Sequence, residues 1–291
     1  MSRIVTAGID GSQESLAAAD WAAEEAAIRK CPLRLVHVWN DETASSGADS
    51  SDPETQRRSA EALLHEAADH VRLIHPGTQI EAQQVSGSPV DELREESHRS
   101  ELLVLGSRGL GGVKGFIAGS VSLAVLRCVR CPLVLVRARP PEGTAPIRPA
   151  GEVVLGLDLP DASAEVLSFA FAAADRYGCG LEVVHSWSLP PVYGPGSTDV
   201  IPTLMAQTAA ERRRELVTAL APWTEEYPHV PVRRECLQGH PAQDLVEASE
   251  QARLVVVGLR HRTTRLGGHV GPVIHSVLHH TASPVAVVPH N

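Results

Sequence analysis

Short apolar runs alternate along the chain with longer stretches that have the alanine content and apolar spacing of helices. In the first half, the apolar runs predict strands at 3–9, 33–39, 79–85, 102–105 and 133–136. The intervening stretches predict helices at 16–28 (with Ser12 as the N-cap), at 54–74, just after Pro89 and at 121–129, and a loop at 40–53. Strands that alternate with helices in this way predict a doubly wound α/β fold with a parallel sheet.

The second half of the chain repeats the first. Gly8-Ile9-Asp10 recurs as Gly156-Leu157-Asp158, and Val36-His37-Val38-Trp39 recurs at the same offset as Val184-His185-Ser186-Trp187. Further helices are predicted at 203–220 and 244–251. This order indicates a tandem duplication, with one domain at 1–139, a Pro- and Gly-rich linker at 140–151 and a second domain at 152–291.

A glycine-rich segment separates the strand at 102–105 from the helix at 121–129, with the spacing Gly106-x2-Gly109-x9-Gly119-Ser120. Glycines let a backbone take positive φ and come close to a ligand, and N–H groups at a helix start attract anions. The Ser120 and Ser122 hydroxyls add hydrogen-bond donors for phosphate oxygens. The segment lacks the lysine of a Walker loop and the spacing of a dinucleotide fingerprint, but it predicts a phosphate-binding loop.

Three stretches of the first half are expected to meet at one edge of the sheet. Ligands of open parallel sheets bind beyond the carboxyl ends of the strands, where the strand order reverses. Asp10, Val38 and the loop from Gly106 all follow or end strands there. Asp10 has two open roles, as an acceptor for ribose or adenine donors and as a cap of the following helix. Val38 is either a core residue or a contact for a base.

The glycine spacing resembles that of the ATP-binding universal stress proteins, and the resemblance extends over nearly all of both halves. It implies two tandem five-stranded parallel sheets flanked by helices, Rossmann-like and of the adenine-nucleotide α-hydrolase type, related by an internal pseudo-twofold. It also implies that Asp10 and Val38 contact adenosine and that Gly106 and Gly109 flank the nucleotide. The triphosphate, with Mg²⁺, would be held by Gly119, Ser120, Val121 and Ser122. Arg108 is our own addition, either a charge partner of phosphate or a solvated side chain.

The second half departs from this pattern. Asp158, Gly258 and Gly271 remain at the matching positions. The residues that differ are His261 for the second glycine, Pro272 for Ser120 and Ile274 for Ser122. Proline removes an N–H and isoleucine removes a hydroxyl, so we expect the second half to bind ATP weakly or not at all.

Composition and charge bear on the partners and the location that are expected for the protein. The net charge of −9 argues against nucleic acid as a partner, because a phosphate backbone needs a basic face. No apolar run approaches the ~18 residues of a membrane span, and no charged-then-apolar leader precedes the first strand. Five cysteines, an odd number, suit a reducing compartment, so a cytoplasmic location is expected. With 3% aromatic residues, the cores must consist of Val, Leu, Ile and Ala.

Two further motifs have more than one interpretation. Cys128-x2-Cys131 has the spacing of a metal or redox pair, but without a second pair it is also consistent with two packed thiols. His275 and His279, at i and i+4 with His280 adjacent, are metal ligands, part of a polar helix face, or neutral histidines in the degenerate pocket of the second half.

The resulting hypothesis is a nucleotide-dependent stress-response regulator that acts on an unknown protein partner. In it, ATP orders the segment from Gly106 to Ser120 and so changes a surface that the partner recognises. Slow ATP hydrolysis or adenylyl transfer on the same fold is the alternative, and a scaffold without nucleotide is the third class. The resemblance also implies that the fifth strands, 133–136 and 285–288, pair at their exposed edges, with a homodimer as a further expectation.

Overall fold

The structure, a computed structural model, describes residues 3–39, 53–107, 119–138, 151–188, 201–260 and 270–291. Arg108, Gly109 and His261 lie outside the described residues, as do nearly all of the predicted loop at 40–53 and of the linker at 140–151.

Strands and helices alternate through both halves, which confirms the predicted α/β class. The elements of the first half are β1 (Val5–Gly8), α1 (Gln13–Arg29), β2 (Leu33–Trp39), α2 (Pro53–Ile74), β3 (Ile80–Ser86), α3 (Pro89–Arg99), β4 (Leu102–Ser107), α4 (Ser120–Leu126) and β5 (Leu133–Arg137). Those of the second half are β6 (Val153–Gly156), a 3-10 turn (Leu159–Asp161), α5 (Ala164–Tyr177), β7 (Leu181–Trp187), α6 (Ile201–Glu226), β8 (Val232–Gln238), α7 (Pro241–Ala248), β9 (Leu254–Arg260), α8 (Pro272–His280) and β10 (Val285–His290).

Contacts divide the chain into two compact units. The first contains β1 to β5 together with residues 284–289, which form most of β10. Its strand order is β3-β2-β1-β4-β5-β10, with β1 to β5 parallel. The last strand runs antiparallel to β5, with Val285 opposite Leu135 and Val287 opposite Leu133. This confirms the expected pairing of the two apolar runs, each of which would otherwise present an unpaired edge.

The second unit repeats the parallel arrangement with the strand order β9-β6-β7-β8. In both units the first strand of the half therefore lies between the second and the fourth. That placement is the topological switch point, because the chain winds outward from it in both directions.

The core of the first unit is built from small and branched side chains. Leu33, Leu102 and Leu133 of three parallel strands are fully buried, as expected for a sheet covered on both faces. Helix α1 buries a face of alanines completely, including Ala18 and Ala22. Alanine lets a helix approach the sheet closely, so the low aromatic content is compatible with a dense core.

Among the described residues, no helix combines the length and the apolar character that crossing a membrane requires.

In the Cys128-x2-Cys131 pair, Cys131 is a packed thiol and Cys128 is half-buried. Both cysteines are free, and Cys131 is buried. Burial raises the pKa of the Cys128 thiol, and it raises the pKa of Cys131 to about 12. Because the thiolate is the reactive and metal-binding form, neither environment suits redox or metal chemistry.

We therefore expect Cys131 to resist thiol reagents in the native protein. Against the ordinary pKa of 9.0, a value of about 12 lowers the thiolate population about 1000-fold at neutral pH. Labelling with iodoacetamide followed by peptide mass spectrometry should modify Cys131 only after denaturation. Rapid native labelling of Cys131 would contradict its packed environment.

Candidate functional site

A cavity of about 140 Å³ opens at the carboxyl ends of β1, β2 and β4. It contains five of the residues singled out from the sequence, Asp10, Val38, Gly106, Val121 and Ser122. Its other described lining residues are Gly8, Ile9, Ser15, Val36, Pro89, Leu93 and Leu105. The predicted convergence at the switch point is confirmed, because β1 pairs with both β2 and β4.

A tight turn after β1 positions Asp10 at the mouth of this cavity. Gly11 has φ +82, a conformation that favours glycine. Ser12 is the N-cap of α1, and its hydroxyl oxygen accepts from the Ser15 N–H at 3.1 Å. The Ser12 N–H in turn donates to Asp10 Oδ1 at 3.0 Å. Ser12 is therefore the predicted cap, and the exposed Asp10 carboxylate supports the turn instead of capping the helix itself.

A histidine fixes the chain at the end of the first strand in each half. His37 Nδ1–H donates to the Ile9 carbonyl oxygen at 2.7 Å, and His185 Nδ1–H donates to that of Leu157 at 2.9 Å. A carbonyl only accepts, so each bond requires the proton on Nδ1. In the first unit this bond holds Ile9 in the cavity wall beside Asp10.

Gly106 is required by packing. An added Cβ would lie 2.7 Å from the backbone carbon of Glu14 and 2.8 Å from the Ser15 nitrogen, closer than such atoms approach. The sequence suggested that this glycine lets the backbone approach a ligand. In the structure, the first turn of α1 occupies the space that a side chain would need.

The start of α4 supplies the opposite wall. Gly119 precedes the helix with φ −50 and ψ 139, and Ser120 and Val121 are exposed. Ser122 is buried, and its hydroxyl donates to the Gly106 carbonyl oxygen at 2.9 Å. The hydroxyl hydrogen of Ser122 is thus engaged in joining α4 to β4. A phosphate donor role for Ser122 would require this bond to be exchanged.

Sequence reasoning missed the contribution of α3. Pro89 and Leu93, at the start of this helix, line the cavity together with Leu105. A Cβ on Gly8 would lie 2.5 Å from Leu105 Cδ2 and 3.5 Å from Leu93 Cδ2. Gly8 recurs as Gly156, and a Cβ on Gly156 would lie 2.6 Å from Leu245 Cδ2. The repeated glycine was therefore the sequence signal for this close packing of a leucine.

The cavity wall is largely apolar. Among the described residues that line it, Asp10 is the one ionisable side chain. Such a wall suits a flat, apolar ring that carries a few hydrogen-bonding groups. General acid–base catalysis needs a positioned proton donor or acceptor near the reacting group, and the described lining offers no pair of such groups.

A wider groove of about 540 Å³ lies between α1 and α2 and shares Ile9 with the cavity. Its wall includes Glu66, His70 and the turn glycine Gly11. Six of its nine lining residues come from α2, one from α1 and two from the segment after β1, so the smaller cavity matches the ligand position expected of a parallel sheet better.

The matching region of the second unit differs in its turn and in the residues around its glycines. The exposed Asp158 is followed by a 3-10 turn at Leu159–Asp161 instead of the glycine turn. A Cβ on Gly258 would lie 3.0 Å from His290 Nε2 and 3.1 Å from Val166 Cγ2, so both side chains crowd this glycine. Ile274, buried at the position of Ser122, has no hydroxyl to bond a glycine carbonyl. Gly271 precedes α8 as Gly119 precedes α4.

Comparisons with known proteins agree with this architecture. A family model described as the universal stress protein family matches residues 1–137 and 150–289. A universal stress protein of Mycobacterium tuberculosis strain H37Rv is 34% identical, over 97% of this chain and 96% of the relative. The crystal structure of a universal stress protein from Archaeoglobus fulgidus has a TM-score of 0.71 at 18% identity and covers 100% of both chains. A universal stress protein solved in complex with cAMP is 29% identical, with a TM-score of 0.36, over 47% of this chain and 98% of its own.

Proposed function

The chain belongs to the universal stress protein family, and we propose that it binds ATP in its first unit and acts as a nucleotide-dependent stress-response regulator. The observation that carries the proposal is the cavity at the switch point of the first sheet. It brings Asp10, Val38 and Gly106 together with the start of α4. These residues come from four separate stretches of the chain, as a built binding site requires.

The adenine base of ATP suits this cavity. Its volume of about 140 Å³ is smaller than the roughly 300 Å³ at which small-molecule sites begin, so it takes the base, while the ribose lies at its mouth beside Asp10. Val38 and Leu105 offer apolar contact to adenine. Asp10 accepts hydrogen bonds from the ribose hydroxyls, because an ionised carboxylate is an acceptor only.

The triphosphate extends from the cavity past Gly119 and Ser120. The exposed Ser120 hydroxyl is the donor that this part of the chain offers to phosphate. Arg108 and Gly109, the remaining residues of the proposal, lie outside the described residues. Within the described part of the chain, no group of three or more His, Cys, Asp or Glu side chains could hold a metal ion. Mg²⁺ is therefore proposed as a companion of the triphosphate, whose charge it neutralises when bound.

Regulation requires that ATP bind one state of the protein more tightly than another, since a ligand shifts an equilibrium only by its differential affinity. A partner protein, or a second copy of the chain, would then bind one of the two states preferentially and so respond to ATP.

We expect ATP to raise the melting temperature of the full chain and to bind with one site per chain. A ligand at 100 times its Kd stabilises the native state by about 2.7 kcal/mol. Differential scanning fluorimetry and isothermal titration calorimetry measure the two quantities, with GTP as the control ligand. An unchanged melting temperature would favour a scaffold that needs no nucleotide, and two equivalent sites would contradict the expectation that the second unit binds ATP weakly or not at all.

Hydrolysis distinguishes the regulator from the alternative ATPase or adenylyl-transfer enzyme. Neither Gly119 nor Ser120, the described residues that we place beside the triphosphate, is a general base, so we expect turnover far below the ~1 s⁻¹ of slow ordinary enzymes. A turnover near that rate, abolished by Gly119→Val, would support the enzyme.

A further inference from the structure

Two histidines on α8 face each other closely. His275 and His279 are four residues apart, so they share one side of the helix. Their Nε2 atoms are 3.1 Å apart, and the ring centroids are 4.2 Å apart. His279 is buried at 9% exposure, whereas His275 is exposed. One ring is thus held by packing and the other is open to solvent.

This spacing is that of two ligands on one metal ion. Imidazole nitrogens bind Zn²⁺ at about 2.0–2.1 Å, so two of them at the angles of a tetrahedral or octahedral site lie about 2.8–3.4 Å apart. The observed 3.1 Å falls within that interval. We propose that His275 and His279 form a two-histidine site for a divalent first-row transition metal such as Zn²⁺ or Cu²⁺.

The chemistry of the pair selects the class of metal. Imidazole suits Zn²⁺, Cu²⁺ and Ni²⁺, whereas Mg²⁺ and Ca²⁺ prefer oxygen ligands. Without a metal, one Nε2 carries a hydrogen and donates it to the other. To bind the ion, both neutral rings carry their hydrogen on Nδ1, so that each Nε2 presents its lone pair.

Within the described residues the site has two protein ligands, because no third ligating side chain completes a cluster. Two ligands on one rigid helix still act as a chelate, because binding by the first places the second at a high effective concentration. Packing of α8 against α7 helps to hold His279 in place and lowers the cost of ordering it.

The pair is specific to the second half of the chain. The matching positions, at the offset that relates Gly119 to Gly271, are Leu123 of α4 and Arg127 directly after it. Neither is a metal ligand. The site therefore belongs to the unit in which Ile274 replaces Ser122, and its test is independent of ATP binding.

The test uses the full chain without an affinity tag, titrated with ZnCl₂ in the absence of nucleotide. We compare the parent with His275→Gln and with the matched control His280→Gln, which changes the exposed neighbouring histidine of the same helix. The chain has 14 histidines, so the difference between the variants is the readout. His275→Gln is expected to weaken the tightest site at least about tenfold, whereas His280→Gln binds as the parent does.

A second measurement does not depend on the affinity comparison. The electron paramagnetic resonance spectrum of the parent with one equivalent of Cu²⁺ should show coupling to two imidazole nitrogens. His275→Gln should lower the number to one. A parent spectrum without two coupled nitrogens, or equal Zn²⁺ affinity in His275→Gln and the parent, would overturn the proposal.

Discussion

Gly106→Ala is expected to lower the free energy of unfolding by about 1–3 kcal/mol, the range for overpacking a dense interior. The added Cβ would meet the backbone of Glu14 and Ser15 at 2.7–2.8 Å. Backbone atoms in the first turn of a capped helix cannot move aside as a flexible side chain can. The substitution therefore displaces α1 from β4 and disturbs the cavity wall at Ser15.

Gly119→Ala is the matched control, because it changes the other glycine of the same motif. Its Cβ would have the Ser122 Oγ as its nearest neighbour, at 3.6 Å, which is an ordinary contact. Its φ of −50 is open to any residue. Urea unfolding followed by circular dichroism measures both variants. Equal losses of stability at the two positions would show that close packing does not explain Gly106.

Asp10→Asn is expected to weaken ATP binding by roughly 10- to 100-fold. A hydrogen bond to a charged group contributes about 1.5–3 kcal/mol, and 1.4 kcal/mol corresponds to a factor of ten. Asparagine keeps an oxygen that can accept from the Ser12 N–H, so the turn before α1 is retained. It loses the negative charge that would bind the ribose hydroxyls.

Asp158→Asn in the second unit is the control for Asp10→Asn. Asp158 has the same place after its strand and is also exposed, but it makes no side-chain cap bond to the 3-10 turn. Calorimetric titration with ATP should give the parent affinity for this variant. If Asp158→Asn weakens binding as much as Asp10→Asn does, the assignment of ATP to the first unit is wrong.

Local patterns in the sequence predicted the strands and caps more reliably than the helix ends. The apolar run Leu33–Trp39 predicted β2 with its observed bounds, and Ser12 was identified as the cap of α1. The long helix of the second half was placed at 203–220, whereas α6 runs from Ile201 to Glu226 with Pro222 inside it. Helix ends depend on local packing as well as propensity, and this makes them harder to locate.

The sequence predicted which strand ends form the candidate site. Parallel strands carry ligands at their carboxyl ends, so Asp10, Val38 and Gly106 were expected to meet, and they do. The contribution of Leu93 was not predictable, because the sequence does not reveal which residue of α3 packs over Gly8. The hydrogen bond from the Ser122 hydroxyl to the Gly106 carbonyl was not predictable for the same reason.

By itself, the sequence determined the alternation of strands and helices, the duplication, and the residue types that a phosphate loop and a strand-end carboxylate require. These follow from periodicity and local backbone preferences, which act between near neighbours. Only the tertiary structure decided that Gly106 is held against α1, that Leu93 of α3 lies close to Gly8, and that two α8 histidines meet at their Nε2 atoms. Such contacts depend on how distant segments and side-chain rotamers pack together, and no local pattern encodes that packing.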